Sequence, residues 1–350
     1  MDIAERSVWQ QAAGDNDRNY VELCLKWGVI LNGPGHLGRW PDCRQPLRDA
    51  EWSARKLSDL RRFCEEMRDG DVVVLRLGTN VVPAVGIVMG DYAWCDAFGD
   101  VDGWDLQHVR RVRWLWIGPR TFDTYALKLG DTTQLLGEGA VHDWLVSLEP
   151  NQPVDRPPAA LPSETHGRAI DYARISEFLF DHGVASASIT RLMEEIGELT
   201  RIARWYGRAG AKHPSEHETV AYLVAPLLRA LGWTPQRMGI EWNYLDVALF
   251  ESLPRSDDRL QAVVEAKKMD NACLSAKAQA AGYAATRPSC RRVIVTDGVR
   301  YGVYVKTRSG EFDLYAYLNL ARLRDGYPVY PCHGAEEALL AMSPDWRPST

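Results

Sequence analysis

Glu265 and Lys267 stand two positions apart at the end of an apolar run, in LQAVVEAKKMD (260–270). In a strand, residues two apart share a face, so this carboxylate and ammonium project to one spot. Asp246 lies inside a second apolar run, NYLDVALF (243–250). If the two runs are neighbouring strands, Asp246, Glu265 and Lys267 meet. Two carboxylates and a backbone carbonyl make a hard oxygen site suited to Mg2+. A lysine beside them can hold or deprotonate a water, and the metal offsets charge at a scissile phosphate. That is the chemistry of phosphodiester hydrolysis. For Glu265 and Lys267 alone, an ion pair on a solvated edge strand is the competing explanation.

The elements around these residues decide between the two. SEHETVAYLVAPLLRALGW (215–233) reads as a helix ended by Gly232. GIEWNYLDVALFESL and LQAVVEAKK follow as strands, NACLSAKAQAAGYAA (271–285) as a helix, and RRVIVTDG, VRYGVYVKT and FDLYAYLNL as strands. The order α-β-β-α-β-β(-β) belongs to a mixed α/β domain.

Five elements in this order resemble the PD-(D/E)xK nuclease superfamily, and within it the N-terminal nuclease domain of type I restriction endonuclease motor subunits. They are the PLLRALGW helix, the YLDVALF strand, VVEAKK, the Gln279/Tyr283 pair of QAAGYA, and VIVTDGVRYGVY, with Asp297 where Asn is more usual. The resemblance spans about residues 214–308. It implies that Asp246 and Glu265 ligate Mg2+, with Mn2+ able to substitute, and that Lys267 serves catalysis. An acidic residue of the leading helix would complete the site. Glu216 is preferred over Glu218 because it shares a face with Val220, Leu223 and Leu227. Gln279 would act at the site and Tyr283 would touch the DNA backbone. Lys268 is read as solvated or as a phosphate contact. Arg291 and Arg292, with Arg287 and Arg300, are candidates to track phosphates. Leu245 precedes Asp246 where proline is often found.

The first 146 residues are strand-rich, with GDVVVLRLG (70–78), VPAVGIVMGDY (82–92), HVRRVRWLWIG (108–118) and TYALKLG (124–130), and one helix over about 52–67. A small β-barrel is expected. KWGVILNGPGHLG, GDVVVLRLG, AVGIVMGDYAW and WDLQHVRRVRWLW together resemble the EVE/PUA-like fold, over about residues 20–146. Such domains bind RNA or flipped, often modified, DNA bases. Trp27, Tyr92, Trp94 and Trp104 are then candidates for an aromatic cage, with barrel-core packing as the plain alternative. His108 is expected to hydrogen-bond locally.

Length and composition frame these readings. The chain has 350 residues, enough for two or three domains, and its net charge of −6 excludes a generally basic coat. Residues 147–167 hold five prolines and read as a linker. Residues 168–206 carry helical 3–4 spacing and read as a spacer or dimer element. The expected organisation is a multi-domain α+β chain. It comprises an EVE/PUA-like β-barrel (1–146), a proline-rich and helical linker (147–213) and an α/β restriction-endonuclease-like domain with a mixed central sheet (214–350). No 18-residue apolar stretch and no signal-peptide core occur, and seven cysteines lie apart without a CxxC pair. A cytoplasmic location and no membrane partner are expected. GPGHLG (33–38) is no P-loop, since Gly-Lys-Ser/Thr does not follow. A separate ATPase or methyltransferase subunit is therefore a candidate partner. Together these readings describe a Mg2+-dependent DNA endonuclease of restriction or antiphage type that recognises modified bases. Its dimerisation would supply two cuts. An RNA-directed or repair nuclease, or a sensor subunit that recruits a separate effector, are the alternatives.

Overall fold

Val8, Val72 and Val74 pack into one core and Trp9, Val73 and Leu75 into another, so adjacent residues point to opposite faces of one sheet. Both faces are covered. The computed structural model describes residues 5–14, 18–153, 160–162, 167–208 and 213–347. It divides into two units, Met1–Ser163 and Glu164–Thr350. Both are mixed α+β, each around one mixed six-stranded sheet. Among the described residues no helix is long and apolar enough to cross a membrane.

The first sheet contains β1 (Val8–Ala12), β2 (Val29–Asn32), β3 (Val72–Leu77), β4 (Val81–Trp94), β5 (His108–Thr121) and β6 (Thr133–Leu135), in the order β2-β5-β4-β3-β1-β6. Only β1 and β3 run parallel. Edge strand β2 meets β1 and the other edge strand, β6, through side chains. Gln11 Nε2 donates to Leu31 O (2.8 Å), and Asn32 Nδ2 donates to Thr133 Oγ1 (3.1 Å). Lys56 Nζ donates to Asn32 Oδ1 (2.8 Å) and Asp59 Oδ2 (2.7 Å), so this buried polar seam is internally paired. Helices α1 (Val21–Trp27), α2 (Arg44–Asp49) and α3 (Ala54–Arg61, extended by a π-turn to Glu66) line one face through Cys24, Leu47, Leu60 and Phe63. Helix α4 (Ala140–Val146) lines the other through Trp144 and Leu145.

One expected strand is absent. TYALKLG (124–130) runs as turns and bends, and the sheet takes Thr133–Leu135 instead. Ala126 N closes a turn on Asp123 O, and Tyr125 has a φ of 67°, so this backbone cannot extend. Of its apolar residues only Leu127 is fully buried.

Helices α5 (Tyr172–Asp181) and α6 (Ser186–Tyr206) are not a spacer. Their buried stripe, Ile175, Leu179, Ile189, Leu192, Ile196 and Leu199, shares one core with Val220, Leu223 and Leu227. An amphipathic helix with that many buried side chains must pack on something, and here it packs on the second unit's own helices. Part of the proline-rich stretch (154–159 and 163–166) and residues 209–212 of the break before the next helix lie outside the described residues.

The second unit continues with α7 (Glu216–Thr219), a π-turn over Val220–Val224, and α8 (Ala225–Ala230). It then forms β7 (Met238–Trp242), β8 (Leu245–Phe250), β9 (Leu260–Ala266), α9 (Lys277–Ala285), β10 (Arg292–Thr296), β11 (Arg300–Lys306), β12 (Phe312–Asn319) and α10 (Ala335–Met342). The strand order is β12-β11-β10-β9-β8-β7, with β9 and β10 parallel and joined through α9. One face buries Val264 and Ile294 with α5–α8 and α10; the other buries Val263 and Val293 with α9. Gly298, at the β10–β11 turn, has φ 85°, and a Cβ there would meet Leu223 at 2.7 Å. Only glycine suits both demands.

Candidate active site

Strands β8 and β9 are antiparallel neighbours, paired at Val247↔Val264. One step further, the same register sets Asp246 opposite Glu265. Glu265 has the parity of Val263 and so faces α9, where Lys267 follows it. Lys267 Nζ donates to Glu265 Oε1 (2.9 Å) and to Gln279 Oε1 (3.1 Å), and Gln279 Nε2 reaches Tyr283 OH at 3.4 Å. Asp246 Oδ2 accepts from Ala266 N (2.7 Å), which locks β8 to the chain between Glu265 and Lys267. Lys267 N in turn donates to Thr296 O (2.7 Å) on β10.

The leading helix contributes one carboxylate. Glu218 is spent on its own helix: its Oε2 accepts from Ser215 N (2.8 Å) and Ser215 Oγ (2.9 Å) in a capping box. Glu216 is half-buried, and its charge acts on both Glu265 and Lys267.

Electrostatics in this cluster are strained. Glu265 is only 2% exposed. Burial pushes its carboxyl above the ordinary range; the Lys267 hydrogen bond opposes this, while Asp246 and Glu216 add to it. Burial alone would lower Lys267. Its hydrogen bond to Glu265 and the surrounding carboxylates outweigh that, so its pKa is raised and it is an ammonium at neutral pH. Among the described residues no three His, Cys, Asp or Glu converge as a complete protein cage for a metal. Mg2+ does not require one, since it commonly binds one or two carboxylates and keeps its waters. Asp246 and Glu265, hard oxygen donors whose mutual repulsion a cation relieves, fit that pattern.

The arginines divide differently from expectation. Arg292 is buried at 1% exposure, and its Nη1 donates to Ala341 O and to Ser343 O (2.8 Å). It lies 5.5 Å from the Trp346 ring. It sits on a β10 position that faces the core, so it tracks no phosphate. Arg287 is likewise buried, donating to Tyr283 O (2.7 Å), and Arg300 Nη1 bonds Asp297 Oδ2 (2.6 Å). Arg291 and Lys268 are exposed.

Asp297 is a residue to which sequence reasoning gave no role. Its Oδ1 accepts from Val299 N (3.0 Å) and Arg300 N (2.7 Å), and its Oδ2 from Asp270 N (3.2 Å). It thereby fastens the segment just beyond Lys267. The available signal was its place in the TDG turn after an apolar strand.

In the first unit, β4 and β5 bring Tyr92 and Trp94 together with His108, which is paired with Trp94. Trp94 Nε1 donates to Gly35 O (3.1 Å). Tyr92 OH accepts from Trp40 N (3.1 Å) and bonds His108 Nδ1 (2.7 Å), whose other nitrogen meets Pro34 O at 2.9 Å. Pro34 O can only accept, so Nε2 donates, and a neutral imidazole then accepts the Tyr92 hydroxyl proton at Nδ1. Trp104 lies under the Arg18 guanidinium at 3.7 Å, and Trp27 lies beside Lys26 at 4.8 Å.

Burial holds His108 near pKa 4, helped by Lys56 and opposed by the Pro34 hydrogen bond. A histidine depressed from about 6.5 contributes stability that is fully present above 6.5 and is lost as pH falls through about 4. The difference corresponds to about 3 kcal/mol. Thermal melts at pH 7 and pH 4.5 should show a larger drop for the wild type than for His108→Gln. An equal drop in both would show that His108 titrates normally.

Compared with known families, residues 10–135 match the model of a domain of unknown function, DUF8426. That span runs from β1 to the last residue of β6. No curated protein and no solved structure matches the chain.

Proposed function

We propose that the chain is a Mg2+-dependent DNA endonuclease of restriction or antiphage-defence type, whose first unit reads a modified or flipped base. The observation that carries the first half is the convergence of Asp246, Glu265, Lys267 and Gln279 at one end of the second sheet, with Glu216 in electrostatic reach. Asp246 and Glu265 would hold the cation, and the charge of Glu216 would add to its attraction. The metal would neutralise phosphate charge and make a bound water more acidic.

The protein's own groups would do the rest. Lys267 enters as an ammonium, which suits it to hold the attacking water and offset charge on the phosphate rather than to take a proton. Gln279 Oε1 and Glu265 Oε1 fix its Nζ between them. Tyr283, hydrogen-bonded to Gln279, extends this row along α9 towards a DNA backbone, with Arg291 and Lys268 as exposed cations for phosphates.

The second half rests on Trp94 and Tyr92, held beside the 33–35 loop, and on Trp104. A flipped base would stack on an indole face. The decisive assay is cleavage with Mg2+ of unmodified, methylated and glucosylated DNA, and of RNA. Cleavage confined to RNA would replace the DNA reading with an RNA-directed one. Trp94→Ala and Trp104→Ala should each weaken binding of the modified duplex by about tenfold or more, the loss of one stacking contact. Unchanged affinity in both would remove the cage.

A further inference from the structure

The turn that leads into Asp246 carries an aromatic residue where hairpin geometry asks for glycine. Strands β7 and β8 close at Trp242↔Leu245, leaving Asn243 and Tyr244 as a two-residue loop. Both have positive φ, 48° and 69°, the pattern of a type I′ turn. Asn-Gly is the preferred pair for that turn, because a side chain at positive φ crowds the following carbonyl. Asn at the first position is ordinary. A tyrosine at the second is not, and Glu241, just before the turn, also has φ 51°.

Among the described residues no contact of the Tyr244 side chain recovers that strain. Tyr244 is 90% exposed, the most exposed large apolar side chain among the described residues. Its neighbours are the opposite. Leu245 is fully buried, and Trp242 packs against Phe250 at 5.1 Å and donates to Asp257 Oδ1 (3.3 Å). The turn is therefore anchored while the Tyr244 ring stands in solvent. Strained non-glycine conformations held by a rigid surround point to a function at that place.

The place is the rim of the carboxylate cluster. Tyr244 is two residues from Asp246 on the same hairpin. Glu241 Oε1 meets His217 Nδ1 at 3.0 Å, which ties the hairpin tip to the helix end that carries Glu216. On the α9 side, Gln279 and Tyr283 border the same cluster.

We propose that Tyr244 is a strand-engaging residue, whose exposed ring stacks on a base or deoxyribose of the DNA strand beside the phosphate that a cation at Asp246 and Glu265 would bind. The assignment rests on the nuclease reading for its choice of ligand. Stacking suits the position because it needs only an exposed π-face and tolerates any base sequence. A rigid turn also fixes the ring at little entropic cost on binding.

The test uses the full chain. Binding of a labelled single DNA strand and of its duplex is measured with Ca2+ in a Lys267→Ala background, with and without Tyr244→Ala, Tyr244→Gly and Tyr244→Trp. Melting temperature is measured on the same proteins, and Mg2+-dependent cleavage on the Tyr244 variants with Lys267 intact. The expected result is about tenfold weaker binding for Tyr244→Ala and Tyr244→Gly, and a raised KM with little change in kcat. Tyr244→Trp should restore binding. Tyr244→Gly should melt at or above the wild-type temperature, because glycine suits the turn; a structural tyrosine would give the reverse. Wild-type cleavage with unaltered binding and KM in Tyr244→Ala and Tyr244→Gly would overturn the strand contact alone. Binding that depends on Tyr244 without any cleavage by the wild type would overturn the nuclease reading and keep the contact. A wild type that binds no DNA would overturn both.

Discussion

Lys267→Ala should lower Mg2+-dependent cleavage by about 100-fold to 1,000-fold while the chain stays folded. That range is the usual effect of removing one preorganised hydrogen-bond donor aimed at developing negative charge. The size follows from geometry. Lys267 Nζ has two fixed acceptors, Glu265 Oε1 and Gln279 Oε1, so it is held ready before substrate arrives. Removing it leaves Glu265 buried beside Asp246 and Glu216 with no cation among them, which pushes its carboxyl still further up. The variant should therefore need more Mg2+ as well as cut more slowly. Lys267→Arg keeps the charge but not the compact ammonium geometry, and should recover only part of the rate. Equal cleavage by wild type and Lys267→Ala, on every substrate, would remove the catalytic assignment. Gln279→Ala provides a smaller companion effect, since it loosens Lys267 without removing it.

Arg292→Ala should destabilise the protein by about 3 kcal/mol, a large single-residue effect. The guanidinium is buried, and burial pulls its pKa down to about 10. It offers N–H groups to Ala341 O and Ser343 O at the end of α10 and lies against the Trp346 ring. Truncation leaves both carbonyls without that donor and opens a cavity beside the indole. In a unit of this size the melting temperature should fall by about 10 °C. Arg292→Met, which keeps most of the volume, should fall less. A phosphate-tracking arginine would behave differently: stability would hold, and the salt dependence of DNA binding would flatten by about one charge. Arg291→Ala is the variant from which that flattening is expected, because Arg291 is exposed.

These two neighbours show where a sequence stops being readable. Arg291 and Arg292 are adjacent and chemically identical, yet Arg291, just before β10, is exposed and Arg292, its first residue, is buried in the core. Alternation cannot separate them, because both faces of this sheet are covered and the strand begins between them. Here α10 and the segment after it, some fifty residues downstream, decide. The same holds for Glu216 and Glu218. Both fit the leading helix, and only the capping box, formed by Ser215 with the residue three places on, removes Glu218 from the choice. That signal was present in the sequence as S-x-x-E.

Local pattern alone determined a good deal. Apolar runs bounded by turn residues marked most strands of both sheets, and the two-residue spacing of Glu265 and Lys267 fixed their common side. The stripe of Ile175, Leu179, Ile189, Leu192 and Ile196 announced buried helices. What it could not announce was their address, because the stripe is equally satisfied by a second chain or by this one. The curled first sheet was also beyond local reading, since its edges are joined by Gln11, Asn32, Lys56, Asp59 and Thr133, side chains spread over more than a hundred positions. The sequence by itself determined which residues carry charge, which are apolar and at what period, and those are short-range properties. Tertiary structure decided which charges face each other, because pairing across strands and layers depends on contacts between segments that no local period records.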